Sequence, residues 1–217
     1  MTSPNTRAWL VAAISAVLLA TWAFDEAVAG ANSGVASPAA KSSAMVTGGG
    51  YTSQPIGHYD FCKRLPAECA IRSHDNGPER LTKNLWTLLA AINVKVNKAI
   101  KPMSDMVTYG KDEVWAYPAN GVGDCEDYAL LKRRMLNEKG LSLANLLITV
   151  VRKPDGEGHA VLTVRTDRGD FILDNLHNEL RPWETTGYAF LKRQATTHAG
   201  RWVSIREGQT TLVGSVD

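Results

Sequence analysis

No internal repeat runs through the chain, and beyond its N-terminal end no apolar run is long enough to cross a bilayer. Solenoid and polytopic membrane architectures are thereby excluded. A surplus of either charge is missing too. The 217 residues carry a formal net charge of +2, too mild to suggest nucleic acid or a membrane surface as partner. Cysteine is scarce: there are three copies.

The N-terminus has the make-up of an export signal. Arg7 precedes the apolar run "AWLVAAISAVLLATWAF", and Ala27 and Ala29 supply the small residues of a cleavage site before Gly30. The alternative is an uncleaved anchor, for which the run is short. Cleavage after Ala29 removes Arg7, Asp25 and Glu26 and moves the net charge from +2 to +3. Residues 30–57 are rich in Gly, Ala, Ser and Thr and read as a flexible leader. Residues 58–217 are left for one compact domain.

Export implies an oxidising compartment, where thiols pair. Cys62 and Cys69 lie seven apart in "FCKRLPAEC", with Pro66 turning the chain between them. Their spacing suits a short bridge, which by loop closure contributes about 2–3 kcal/mol. The alternative is two buried free thiols. Cys125 is left over, and an odd cysteine in an exported chain is a cross-link or a reactive thiol.

Leu81, Leu85, Leu88, Ile92, Val96 and Ile100 form an apolar stripe at helical spacing, stopped by Pro102. A loop with Pro118, Gly121 and Gly123 follows, then a second helix from about Asp124 to Lys139, with Gly140 as its stop. Cys125 falls in the first turn of that helix, where unpaired N–H groups and the positive dipole end favour a thiolate. Its own N–H is the natural oxyanion donor there. Yet Asp124, Glu126 and Asp127 crowd it, and negative charge holds a thiol protonated. Trp115 is a candidate wall of the site or plain core. "KRRM", 132–135, reads as a solvated helix face with Met135 buried, or as a docking surface.

Downstream the period changes to two, giving strands at 145–152, 158–166, 170–175 and 201–206. A hairpin about "TDRG" that pairs Arg165 with Asp170 sets Val164 opposite Phe171 and Leu162 opposite Leu173, one apolar face. The same register brings His159 and Asp174 together diagonally on the other face. A thiol at a helix start with a His–Asp pair on a sheet makes a nucleophile, base and orienter. His58 and His74 lie in polar loop sequence, His198 in a polar stretch, and His177 follows the third strand without an obvious partner.

These residues resemble a known family. "GDCEDYALLKRRML", "GHAVL" and "FILDN", with the upstream "LTKNLWTLLAAINVKVNKAI" and "YGKDEVWAYP", are similar to the bacterial transglutaminase-like cysteine proteinases of the LapG-type periplasmic group. The resemblance implies an α+β fold with a papain-like, transglutaminase-like core, a helix carrying cysteine packed on an antiparallel sheet carrying His and Asp. It implies Cys125, His159 and Asp174 as catalytic residues and Ca²⁺ held by Asp124, Glu126, Asp127 and, from the preceding loop, Asp112. Hard oxygen ligands suit that ion, and a bound cation reverses the effect of the acids on the thiol. The resemblance further implies a surface adhesin cut near a pair of alanines to disperse biofilm, and regulation by the periplasmic domain of an inner-membrane cyclic-di-GMP receptor. Two other readings share these residues: acyl transfer or amide hydrolysis on the same fold, and a non-enzymatic calcium-stabilised module. An intact Cys125, His159 and Asp174 set speaks against the last.

Overall fold

The computed structural model describes residues 42–118 and 120–206. Its elements are β1 (Thr47–Thr52), α1 (Ile56–Arg64), α2 (Pro66–Cys69), α3 (Lys83–Ala99), β2 (Lys101–Pro102), α4 (Asp105–Tyr109), β3 (Val122–Gly123) and α5 (Cys125–Glu138). After these come β4 (Leu146–Arg152), β5 (Gly158–Thr166), β6 (Gly169–Leu173), β7 (Arg181–Pro182), β8 (Ala189–Ala195) and β9 (His198–Ile205). Among the described residues no helix is long and apolar enough to cross a membrane. The expected signal segment, 1–29, lies outside the described residues.

Seven strands form one antiparallel sheet in the order β1-β9-β8-β4-β5-β6-β7, while β2 and β3 pair in parallel apart from it. The β5–β6 hairpin has the register that its apolar alternation dictates: Leu162 faces Leu173, Val164 faces Phe171, and Arg165 faces Asp170. Those four apolar residues join the larger core cluster with α3 and α5. Val161 and Ile172, on the opposite face, pack with Met45, Val151, Trp183, Phe190 and Ile205. This is the helix-on-antiparallel-sheet α+β architecture.

The expected first helix is α3, opened by Thr82, whose hydroxyl accepts the Leu85 N–H at 3.1 Å. Its inner face is rotated from the stripe read in the sequence. Trp86 and Leu89 are buried with Ile92 and Val96, whereas Leu85 and Leu88 sit at the margin.

The flexible-leader expectation does not hold for its C-terminal half. Residues 47–52 form β1 along β9, and 56–57 open α1. Ser42 and Ser43 are fastened by the Glu184 carboxylate, Asp170 N–H donates to Ser43 C=O at 3.0 Å, and Met45 is buried. An edge strand is held by backbone hydrogen bonds, so the "TGGGYT" segment joins the sheet with almost no apolar side chain to announce it. Residues 30–41 of the expected leader lie outside the described residues.

Cys62 and Cys69 are joined as a disulfide, with Cα atoms 5.5 Å apart, tying α1 to α2. The "KRRM" segment is not a solvated face. Lys132 and Arg133 are buried, Met135 is half-buried, and Arg134 lies 2.9 Å from Glu68 and stacks on the Tyr117 ring. Both helix α3 and the sheet press on α5, so only the long aliphatic stems of Lys and Arg reach through its flanks.

Candidate active site

Helix α5 begins directly at Cys125, with Asp124 at the position where a cap would stand. The Asp124 side chain does not cap; its Oδ2 accepts the Asp105 N–H at 3.3 Å instead. Gly123 is glycine for a steric reason: a Cβ there would come 2.6 Å from Asp127 Oδ2 and 2.9 Å from Asp127 Cβ. The Gly-Asp-Cys-Glu-Asp stretch thus folds its last carboxylate back over its first residue. As the first helical residue, Cys125 has an N–H without an intrahelical acceptor.

The Cys125 thiol donates to Glu126 Oε2 at 3.2 Å. Burial first, then the Glu126 carboxylate, pushes its pKa well above the ordinary thiol value, while the Ala160 N–H beside the sulfur works the other way. Ala160 is the neighbour of His159 on β5. Cys125, His159 and Ala160 therefore line one cavity of about 470 Å³, whose walls include Ile56, Trp115 and Val150. Among the described residues Cys125 makes no hydrogen bond to His159.

His159 is buried and its Nε2 lies 2.9 Å from Asp174 Oδ1. The carboxylate also accepts the Leu176 N–H at 3.0 Å and the Tyr188 hydroxyl at 2.8 Å. Burial alone would raise the Asp174 pKa, but the His159 hydrogen bond and charge, with these other donors, bring it down to about 2. An ionised Asp174 can only accept, so Nε2 carries the proton toward it and Nδ1 is the ring nitrogen left for chemistry. Tyr188 was not legible as a site residue, because it lies in the "TTGY" turn, far from any motif.

The acids gather on the other side of Cys125. Oxygens of Asp105, Asp124 and Asp127 all lie within 4.8 Å of one another. Asp127 Oδ1 accepts the Ala116 N–H at 2.7 Å, and Asp105 Oδ2 accepts the Val114 N–H. Asp124 Oδ1 and Asp127 Oδ2 are buried without any partner. Burial, followed by the neighbouring carboxylates, raises Asp127 to about 7 and Glu126 to about 9, and Asp105 is raised as well. Buried carboxylate oxygens with no donor are costly unless a cation or protons meet them. Three oxygens converging in this way suit a hard cation.

Two of the four expected ligands, Asp124 and Asp127, are in this group. Glu126 borders it but turns its carboxylate to Cys125. Asp112 is exposed and stands outside it. Asp105 takes part instead. In the sequence it resembles an ordinary first-turn acid after Ser104, and only the fold carries it 19 positions to Asp124.

Trp115 is both core and wall. It is 2% exposed, donates Nε1 to Glu113 Oε2 at 3.3 Å, and lies against Gly57, where a Cβ would meet its ring at 2.4 Å. His58 is a core residue. Burial, then Arg133, lowers its pKa to about 3, and its Nδ1 accepts the Trp202 indole N–H at 3.2 Å.

A family model for the bacterial transglutaminase-like cysteine proteinases (BTLCP) matches residues 48–210. Among solved structures, calcium-bound LapG of Legionella pneumophila is 21% identical, with a TM-score of 0.47 over 59% of this chain and 74% of that one. EGTA-treated LapG of the same organism is 25% identical, with a TM-score of 0.44 over 49% and 61%. No curated protein matches the chain. With more than half of its length matched by the family model, the chain belongs to the bacterial transglutaminase-like cysteine proteinases.

Proposed function

We propose that the chain is a calcium-dependent cysteine endopeptidase of the periplasm, exported by cleavage after Ala29, that cuts an adhesin-like cell-surface protein near a pair of alanines and so releases it. The observation that carries the chemistry is the 2.9 Å contact of His159 Nε2 with Asp174 Oδ1 at the cavity that Cys125 also lines. Cys125 is the nucleophile, His159 the base and Asp174 its orienter. His159 Nδ1 takes the thiol proton as sulfur attacks the scissile carbonyl, the Cys125 N–H steadies the oxyanion, and the leaving amine receives that proton. Water then hydrolyses the thioester, with His159 again as base. The lining combines apolar Ile56, Trp115, Val150 and Ala160 with the acids Glu113 and Glu126, which is compatible with small side chains and unfavourable to acidic ones.

Asp105, Asp124 and Asp127 would hold the calcium, and the two unpartnered oxygens fit that role. When bound, the ion supplies positive charge that offsets the carboxylates around Cys125. The substrate class and regulation by a cyclic-di-GMP receptor rest on the family resemblance. Incubation with peptides and an excess of a primary amine tests the reaction class. Products ending in free carboxylates support hydrolysis, whereas amine-capped products would assign acyl transfer.

A further inference from the structure

We infer that Tyr188 is a positioning residue that fixes Asp174, and through it His159, for proton transfer. The inference rests on the Cys125–His159–Asp174 reading and extends it to a residue outside that set. A carboxylate rotates about its Cβ–Cγ bond unless both oxygens are tied. Here they are tied to different partners. Oδ1 receives His159 Nε2–H at 2.9 Å and the Leu176 N–H at 3.0 Å, whereas Oδ2 receives the Tyr188 hydroxyl at 2.8 Å.

Tyr188 does a second thing. Its ring meets the His159 ring edge to face, centroids 5.6 Å apart and planes at 75°, so one residue braces both members of the pair. The tyrosine is itself held. Its backbone N–H donates to Thr186 Oγ1 at 3.2 Å, Gly187 takes the left-handed turn at φ +76°, and its ring packs against the second core cluster. Arg181 adds charge. Its guanidinium lies over the Tyr188 ring at 5.6 Å and 3.6 Å from Asp174 Oδ2. The Tyr188 hydroxyl, pushed up to about 12 by burial and then by Asp174, stays a donor throughout the physiological range.

The test is the rate at which iodoacetamide alkylates Cys125 at about pH 6 with calcium present. There the sulfur displaces iodide fastest when a paired imidazole holds its proton. Parent, Tyr188→Phe, Asp174→Ala, His159→Ala and the Tyr188→Phe/Asp174→Ala double variant are compared, with melting followed for each. Tyr188→Phe should melt near the parent yet react about fivefold more slowly, the scale of one hydrogen bond. In the Asp174→Ala background it should add nothing, because its route is gone. A parental rate for Tyr188→Phe, or losses that multiply in the double variant, overturns the inference. If Asp174→Ala and His159→Ala also react at the parental rate, the Cys–His–Asp reading fails and this inference fails with it.

Discussion

Cys125 donates its thiol proton to Glu126 Oε2 at 3.2 Å, away from His159, which faces the same cavity. The nucleophile therefore rests in the acid cluster, not against the base. Moving it to His159 requires that Glu126 release the thiol and that the charge gathered on the neighbouring acids be offset. Calcium should accordingly lower the pH at which Cys125 becomes alkylatable by about one unit or more, each unit being about 1.4 kcal/mol. Alkylation rate against pH, with calcium and with EGTA, measures this directly. Coincident curves would show that calcium does not act on Cys125.

The same carboxylates set a pH dependence of stability. Burial raises Glu126 from 4.5 to about 9 and Asp127 from 3.8 to about 7. The folded, metal-free chain thus keeps protons that the unfolded chain has released. The stability these two groups contribute is fullest below about pH 4 and is lost as pH rises through about 7 and then 9. In EGTA the melting temperature should drop over that range, and calcium should flatten the decline. A chelated protein whose melting is level from pH 5 to about 9 would contradict the buried-acid geometry.

Asp105 and Asp112 separate the fold-based site from the motif-based one. Asp105→Asn should abolish the rise in melting temperature on adding calcium, and Asp112→Asn should leave it intact, because Asp112 is exposed and outside the cluster. The reverse result would place the ion in the 111–113 loop.

Gly123→Ala should act as a steric copy of the Asp105 change. Its Cβ would stand 2.6 Å from Asp127 Oδ2, so the carboxylate must leave the cluster. The fold should lose about 1–3 kcal/mol, the usual cost of overpacking, and calcium should no longer recover it. Melting with and without the ion checks both halves.

What was legible in the sequence follows from periodicity. The β5–β6 register, and with it the approach of His159 to Asp174, follows from the one pairing that sets Leu162 opposite Leu173 and Val164 opposite Phe171 on a single apolar face. Cys125 at a helix start follows from Gly123 and the acidic first turn. Other features have no local signal. β1 joins through its backbone, and β8 hides Arg193 by pairing it with Asp170 at 3.0 Å, so both look like loop. Lys132 and Arg133 look solvated because their type outweighs their position, although α5 is enclosed on both flanks. Asp105 and Tyr188 reach the site only by long-range folding, and their residue types alone give no hint of it.

Cys125 is expected to perform peptide hydrolysis under the control of calcium. The most direct test is to count new N-termini by mass spectrometry after the protein meets a diverse peptide library, in calcium, in EGTA, and with Cys125→Ala in calcium. New termini should cluster after small residues with calcium, and few should form in EGTA. Cys125→Ala should lose essentially all of them, in line with the roughly 10⁴-fold or greater losses on removing a nucleophile. Equal cleavage by Cys125→Ala, or none by the parent in calcium, would contradict calcium-controlled hydrolysis by Cys125.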